Sequence, residues 1–274
     1  MKIGRAEFRK IAVVCSKKDI AGMNIRRKLL ESSRELDIKF QDNSVYEIKE
    51  DVLLYTLNTE TIYTENIDEE IDADLFIFAT RHKSKSEIPS LSVHVPGNWS
   101  IAEAGGWDNK LCVGSSSLMW FSLLKLKDYS RDLDYEVVQE VTHHGPFLKK
   151  PVMFIEIGSN EKRWNDKRAV DVISKVLFDL FCLKIEERKT AFGIGGLHTM
   201  PNLERYAEKN DVSFCHVCPK YMLDSLDKGL IKEAMDKSIE ECDLIVLDWK
   251  GLKDNKKRIV DMLNELGLEY ERTR

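Results

Sequence analysis

The sequence predicts an α/β protein built on a mixed, mostly parallel central sheet flanked by helices. Two observations lead there. Short apolar runs of strand length alternate with amphipathic helical segments along the whole chain, and the clearest runs are almost continuously apolar rather than alternating. An unbroken apolar run is what a strand covered on both faces requires, and such strands belong to parallel sheets with helices packed above and below. The 274 residues, 43% hydrophobic and 32% charged, are enough to bury a substantial core and exclude the disordered class.

The candidate strands are 10–15 (KIAVVC), 74–80 (DLFIFAT), 151–157 (PVMFIEI) and 243–248 (DLIVLD), with weaker ones at 136–141, 190–193 and 212–216. The candidate helices are 24–36, 116–129, 166–180 and 232–242. In 166–180 the apolar positions Ala169, Val170, Ile173, Val176, Leu177 and Leu180 recur at helical spacing, and Asn165 or Asp166 can cap the start. The stretch 84–108 contains Pro89, Pro96, Gly97, Gly105 and Gly106 and little periodicity, so it reads as a long irregular segment of the kind that carries function. No repeat or low-complexity tract divides the chain. One α/β catalytic domain over 1–274 is expected, with an internal joint near 129–135.

The formal charge of −5 argues against a general nucleic-acid binder, which would be basic, while leaving room for a local basic patch. The N-terminus has no apolar signal core and no segment is long enough to span a bilayer, which predicts a cytoplasmic protein without a membrane partner. The six cysteines suggest buried thiols, not a disulfide framework, and the Cys215/Cys218 pair has no second half to complete a zinc ribbon. The GIGG run at Gly193–Gly196 lacks the spacing of a dinucleotide-binding loop, and GxSxG is absent, which argues against an ordinary serine hydrolase.

Chemistry concentrates in the six histidines. His82 follows the strand DLFIFAT, His94 sits in SVHVPGN, His143 and His144 in THHGP, His198 in GIGGLHTMP, and His216 in FCHVCPKY. Loops at strand ends are where α/β sheets place their sites. Imidazole serves both metal ligation and proton transfer near neutral pH. Glu156 lies inside an apolar strand, where a carboxylate is costly unless paired or bound to a metal. These residues suggest one convergent site. No HExxH spacing fixes which of them would hold a metal.

In order along the chain, HKSKS with PSLSVHVPGN, THHGP, EIGS followed by Trp164, GIGG-x-H-x-x-P, FCHVCPKY and DWKGLK resemble the archaeal and plant D-aminoacyl-tRNA deacylase family, from about Ile11 to Lys256. The resemblance implies a fold distantly similar to phosphorylases and peptidyl-tRNA hydrolases. It also implies a zinc-dependent hydrolase that cleaves the ester between a D-amino acid and the tRNA 3′ end. The matching positions are His82, Ser84, Ser86, His94, Gly97, Asn98, His143, His144, Glu156, Gly196, His198, Pro201, His216 and Lys220. The chain departs from the family's GGGHYAP at Leu197, Thr199 and Met200 and has Cys215 where a small residue precedes His216.

On this resemblance His94, His143 and His198 are assigned to one or two zinc ions, and Glu156, His82 and His144 to catalysis. Lys83, Ser84, Ser86, Asn98, Lys149, Lys150, Gly196, His216 and Lys220 are assigned to substrate and the tRNA end, with Lys85 beside them. A monomer is expected. Two rivals remain: a metal-dependent amidohydrolase or peptidase acting on a small substrate, and a non-catalytic protein that binds tRNA ends.

Overall fold

The computed structural model describes residues 8–182 and 188–274. Strand β1 (Ile11–Ser16) is buried at every position, as its apolar run requires. Helix α1 (Ile20–Leu30) starts earlier than the predicted 24 because Asp19 caps it, its carboxylate accepting from the Gly22 N–H at 2.7 Å. Gly22 is demanded by packing: a Cβ there would lie 2.6 Å from the Ala79 carbonyl oxygen. The predicted helix also ran too far. Residues 34–36 belong to strand β2 (Arg34–Phe40), where Leu36, Ile38 and Phe40 alternate with polar residues at strand period. Strands β3 (Asn43–Lys49) and β4 (Val52–Leu57) complete an antiparallel meander that the sequence reading did not find.

After the short helix α2 (Ile67–Glu70) comes β5 (Leu75–Lys83), which runs three residues past the predicted end. Strand β6 (Ser90–His94) lies within the stretch expected to be irregular. Helix α3 (Ser116–Tyr129) has the predicted bounds, capped by Ser115 and by the buried Glu240 carboxylate, which accepts from Ser116 N–H at 2.9 Å and Ser117 N–H at 3.1 Å. The segment 130–135 links it to β7 (Glu136–Gln139). Strand β8 (Val152–Ser159), helix α4 (Glu161–Trp164) and helix α5 (Lys167–Leu180), capped by Asp166, follow.

Strand β9 (Lys189–Gly196) leads into α6 (Pro201–Asn210), missed in the sequence because only Leu203 and Ala207 of it are buried. Next come β10 (Val212–Pro219) and α7 (Lys228–Asp236). This helix was predicted at 232–242, but Asp227 caps it early and Cys242 already opens β11 (Cys242–Leu247). Helix α8 (Lys256–Leu266) and β12 (Tyr270–Arg272) end the chain.

The predicted mixed sheet has eight strands in the order β2-β3-β4-β1-β5-β8-β6-β7. The pairs β4–β1, β1–β5, β5–β8 and β6–β7 are parallel, and β8–β6 is antiparallel. Beside it stands a second, all-parallel sheet ordered β10-β9-β11-β12. One apolar cluster runs through both, joining Val93 and Ile155 of the first sheet to Ala191 and Phe214 of the second.

Candidate active site

Strand register assembles the site. In a strand alternate residues share a face, and residues paired across neighbouring strands share it too. On β5 and β8 the pairs are Phe78–Phe154, Thr80–Glu156 and His82–Gly158; on β8 and β6 they are Phe154–His94, Glu156–Ser92 and Gly158–Ser90. Thr80, His82, Glu156 and His94 therefore occupy one face of adjoining strands. The next strand adds a residue that the sequence reading missed. Ser92 pairs with Val138 on β7, so Glu140, two residues on, falls on the same face, and its N–H donates to the Val93 carbonyl at 3.0 Å. Glu140 follows the polar Gln139, so it lacks the apolar setting that singled out Glu156.

Loops supply the remaining histidines. His143 and His144 follow β7, and His198 follows β9. The imidazole centroids of His94 and His143 are 4.3 Å apart, His94 and His144 4.8 Å, His143 and His144 4.4 Å, and His143 and His198 4.5 Å. Gly145 lets this loop close on the glycines before it: a Cβ there would meet Gly106 N at 2.2 Å and Gly105 C at 2.3 Å.

Two buried carboxylates bridge the rings. Glu140 lies 3.2 Å from His82 Nδ1, 3.2 Å from His198 Nε2 and 3.7 Å from His143 Nε2. Glu156 lies 3.6 Å from His82 Nδ1 and 3.7 Å from His94 Nε2, and Thr80 Oγ1 donates to its other oxygen at 2.7 Å. Burial opposes the charge on His82, but the bond from Glu156 and the charges of both carboxylates outweigh it and raise its pKa to about 9. Burial lowers His144 to about 4, and burial with the neighbouring imidazoles takes His94 and His143 well below the usual histidine range. Burial raises Glu156, with Glu140 adding to the effect; Glu140 itself is held low, since its histidine partners overcome its burial. Burial thus disfavours the charged form of His94, His143 and His144, while the carboxylates favour it at His82.

That donor set fits a metal. Ligand atoms of His94, His143 and His144 fall within 4.8 Å of one another, as do those of His82, Glu140 and His198. Among the described residues neither nitrogen of the fully buried His94 has a side-chain hydrogen-bond partner. His143 and His144 place Nδ1 at 2.7 Å and 2.6 Å from the backbone carbonyls of Val141 and Gly145, so Nδ1–H donates and the Nε2 lone pair is free. Such a carbonyl bond is how ligating histidines are usually oriented.

A cavity of about 320 Å³ opens on the cluster, lined by His82, His143, His144, His198 and Glu156, with Thr61, Ile62 and Phe154 as less polar walls. Lys83 lines it as the sequence suggested, joined by Lys18, Asp19, Glu60 and Arg81, which it did not. The Arg81 guanidinium is fixed by the Lys18 carbonyl at 2.5 Å and by Glu60 at 3.3 Å, over the Trp164 ring at 5.4 Å.

Other expected site residues lie outside this group. His216 is fully buried on β10, with Nδ1 3.0 Å from Thr142 Oγ1, and supports the 143–144 loop from behind. Asn98 donates to the Gly105 carbonyl at 2.9 Å and holds a loop. Lys149 pairs with Glu69 at 2.6 Å, and the backbone N–H groups of Lys149 and Lys150 are bound by Asp68. The Ser84 and Ser86 hydroxyls bond each other at 2.9 Å past the end of β5. Gly196 ends β9 and Lys220 opens the turn after β10. Leu197, one of the departures from the family pattern, is exposed and does not line the cavity. Cys215 and Cys218 are buried, and no cysteine joins a candidate metal group among the described residues.

The model of the D-aminoacyl-tRNA deacylase family matches residues 69–271. The chain is 40% identical over 269 residues to the D-aminoacyl-tRNA deacylase of Pyrococcus furiosus, covering 94% of this chain and 98% of that one. It is 33% identical to that of Methanosarcina acetivorans over 275 residues, covering 95% and 91% respectively. A crystal structure described as a conserved protein of unknown function, AF0625, superposes with a TM-score of 0.87 at 30% identity, covering 96% of this chain and 95% of that one. A site assembled from the same motifs that carry the resemblance, in a chain matched over nearly its whole length, places this protein in the D-aminoacyl-tRNA deacylase family.

Proposed function

We propose that this chain hydrolyses the ester joining a D-amino acid to the 3′ end of tRNA, releasing both. The observation that carries the proposal is the cluster of five histidines and two buried carboxylates, of which His82, His143, His144, His198 and Glu156 line one cavity, in a chain whose relatives bear that name.

His94, His143 and His144 would hold one zinc ion, and His82, Glu140 and His198 group where a second would fit. This partition differs from the one drawn on sequence, since His144 groups with His94 and His143 while His198 lies across with Glu140. Zinc bound there supplies a Lewis acid that polarises the ester carbonyl and lowers the pKa of water toward about 7. The chain's own groups do the rest. Glu156, raised by burial and oriented by Thr80, takes the proton of the attacking water. When no second ion occupies the group of His82, Glu140 and His198, His82 carries a proton between Glu140 and Glu156 and returns it to the departing ribose oxygen. Phe154 and Ile62 wall the side where the amino acid would lie, and a wall of fixed shape discriminates between enantiomers by exclusion.

Lys18 and Lys83 on the cavity rim are placed for the phosphate of the terminal nucleotide. Tyr221, exposed with its hydroxyl 3.4 Å from His198 Nδ1, offers a stacking face for the terminal base. No helix among the described residues is long and apolar enough to cross a membrane, and a tRNA substrate fits the cytoplasm.

The test is release of amino acid from D-tyrosyl-tRNA and L-tyrosyl-tRNA, with zinc and with chelator. Release from the D-ester alone, lost with chelator and restored by zinc, is expected. Release from neither ester would discard the proposal in favour of a protein that only binds tRNA ends.

A further inference from the structure

Helix α6 leaves the active site three residues after His198, and its charges are sorted by face. Glu204 and the exposed Glu208 both pair with Lys127 of α3, at 2.5 Å and 2.9 Å. Arg205 and Lys209, also one turn apart and about 6 Å along the helix axis, are exposed on the other side. They line a second cavity, of about 410 Å³, with Arg272 of β12 and Arg274 just beyond it. None of these four cations is in an ion pair among the described residues. The one carboxylate side chain in the lining, Glu271, is bonded by the Tyr206 hydroxyl. In a chain of net charge −5, a concentration of four unpaired cations is a local field of the opposite sign.

The fold ties this patch to the site. Strands β9, β11 and β12 are parallel, and Leu247 pairs with both Ile194 and Arg272. The end of β12 therefore lies at the same sheet edge as the Gly196–His198 segment. Asp248 binds the two together: it accepts from Asn202 Nδ2 at 3.1 Å and from Thr273 Oγ1 at 3.5 Å. Arg272 is held by its guanidinium over the Trp249 ring at 3.8 Å. A planar cation fixed in this way is prepared for a phosphate with little further loss of freedom. Among the described residues none of the exposed large hydrophobic side chains lies in the patch, which offers no anchor to an apolar protein face or a bilayer.

We propose that the face formed by Arg205, Lys209, Arg272 and Arg274 binds the sugar–phosphate backbone of an RNA stem, holding the acceptor arm while its 3′ end enters the histidine cavity. The assignment of the substrate rests on the reading above, but RNA binding by this face can be measured apart from it. Contacts of this kind carry no sequence information and give affinity that falls with salt.

The experiment compares wild type with Arg205→Glu/Lys209→Glu by fluorescence anisotropy on labelled, uncharged tRNA over a salt series. It is paired with hydrolysis of D-tyrosyl-tRNA and of D-tyrosyl-adenosine, which is too short to reach the patch. Binding about tenfold weaker, with a salt slope smaller by about two, is expected from losing two phosphate contacts. Hydrolysis of the short ester should stay unchanged, and Arg205→Lys should retain wild-type binding. Unchanged tRNA affinity overturns the proposal, and so does an equal loss on the short ester, which would make the patch part of the site's framework. If wild type hydrolyses neither ester, the proposed function fails, while anisotropy still decides the RNA face. Should the double variant melt early, Lys209→Glu alone, in the exposed last turn, is judged by the same criteria.

Discussion

Thr80 and Glu156 face each other across β5 and β8, and the threonine hydroxyl donates to the carboxylate at 2.7 Å inside a fully buried setting. This bond is the main neutral support for a charge that burial disfavours.

Thr80→Val keeps the shape and removes the donor. A lost hydrogen bond to a charged group is worth about 1.5–3 kcal/mol, so the pKa of the Glu156 carboxyl should rise further. The acidic limb of kcat/KM against pH should move up accordingly, with plateau activity reduced less than the limb at pH 6. An unmoved limb would show that Glu156 is not the group taking up the proton.

Glu140→Gln removes the charge shared by His82, His143 and His198. Zinc affinity should fall about 10–100-fold, as it does when groups orienting metal ligands are lost, measured by competition with a chelating dye. The His82 pKa should drop from about 9 toward the ordinary value, read from its NMR titration. Retained zinc and an unchanged His82 titration would remove Glu140 from the site's chemistry.

Gly145→Ala places a methyl 2.2 Å from Gly106 N and 2.6 Å from the Ile62 carbonyl oxygen, contacts with backbone that cannot rotate away. We expect a loss of about 2–3 kcal/mol in stability, the usual scale of overpacking, together with loss of turnover as the His143–His144 segment is displaced. A wild-type melting temperature would refute the close approach.

Acid stability follows from His216, buried on β10 with its pKa lowered to about 4. The unfolded chain takes up a proton below about 6.5 that the folded chain refuses until about 4. Stability is therefore full above 6.5 and falls as pH drops through this window, by about 3 kcal/mol in all. His144, also lowered to about 4, acts in the same direction, whereas His82, raised to about 9, adds stability that fades as pH rises through 9. Melting in chelator at pH 7 and pH 5 checks this; a temperature that does not fall at pH 5 contradicts it.

The sequence by itself determined which strands are buried and which residue types carry the chemistry. Runs such as KIAVVC and DLFIFAT have no polar alternative, so their burial follows from composition alone. Glu156 and the loop histidines stood out because charge and imidazole are costly or conspicuous in such surroundings. The meander Arg34–Leu57 was not legible, because half-exposed alternation over a few residues competes with a helical reading. Helix α6 was hidden by its few apolar residues. What only the tertiary structure decided is partnership. Register across β5, β8, β6 and β7 brings Thr80, Glu156, His94 and Glu140 to one face although more than seventy residues separate the first two. The same packing sends His216 behind the site and ties Lys149 to Glu69. Spacing along a chain can say that a residue lies at the end of a strand. Which strand lies beside it is settled by the burial of apolar faces far apart in sequence.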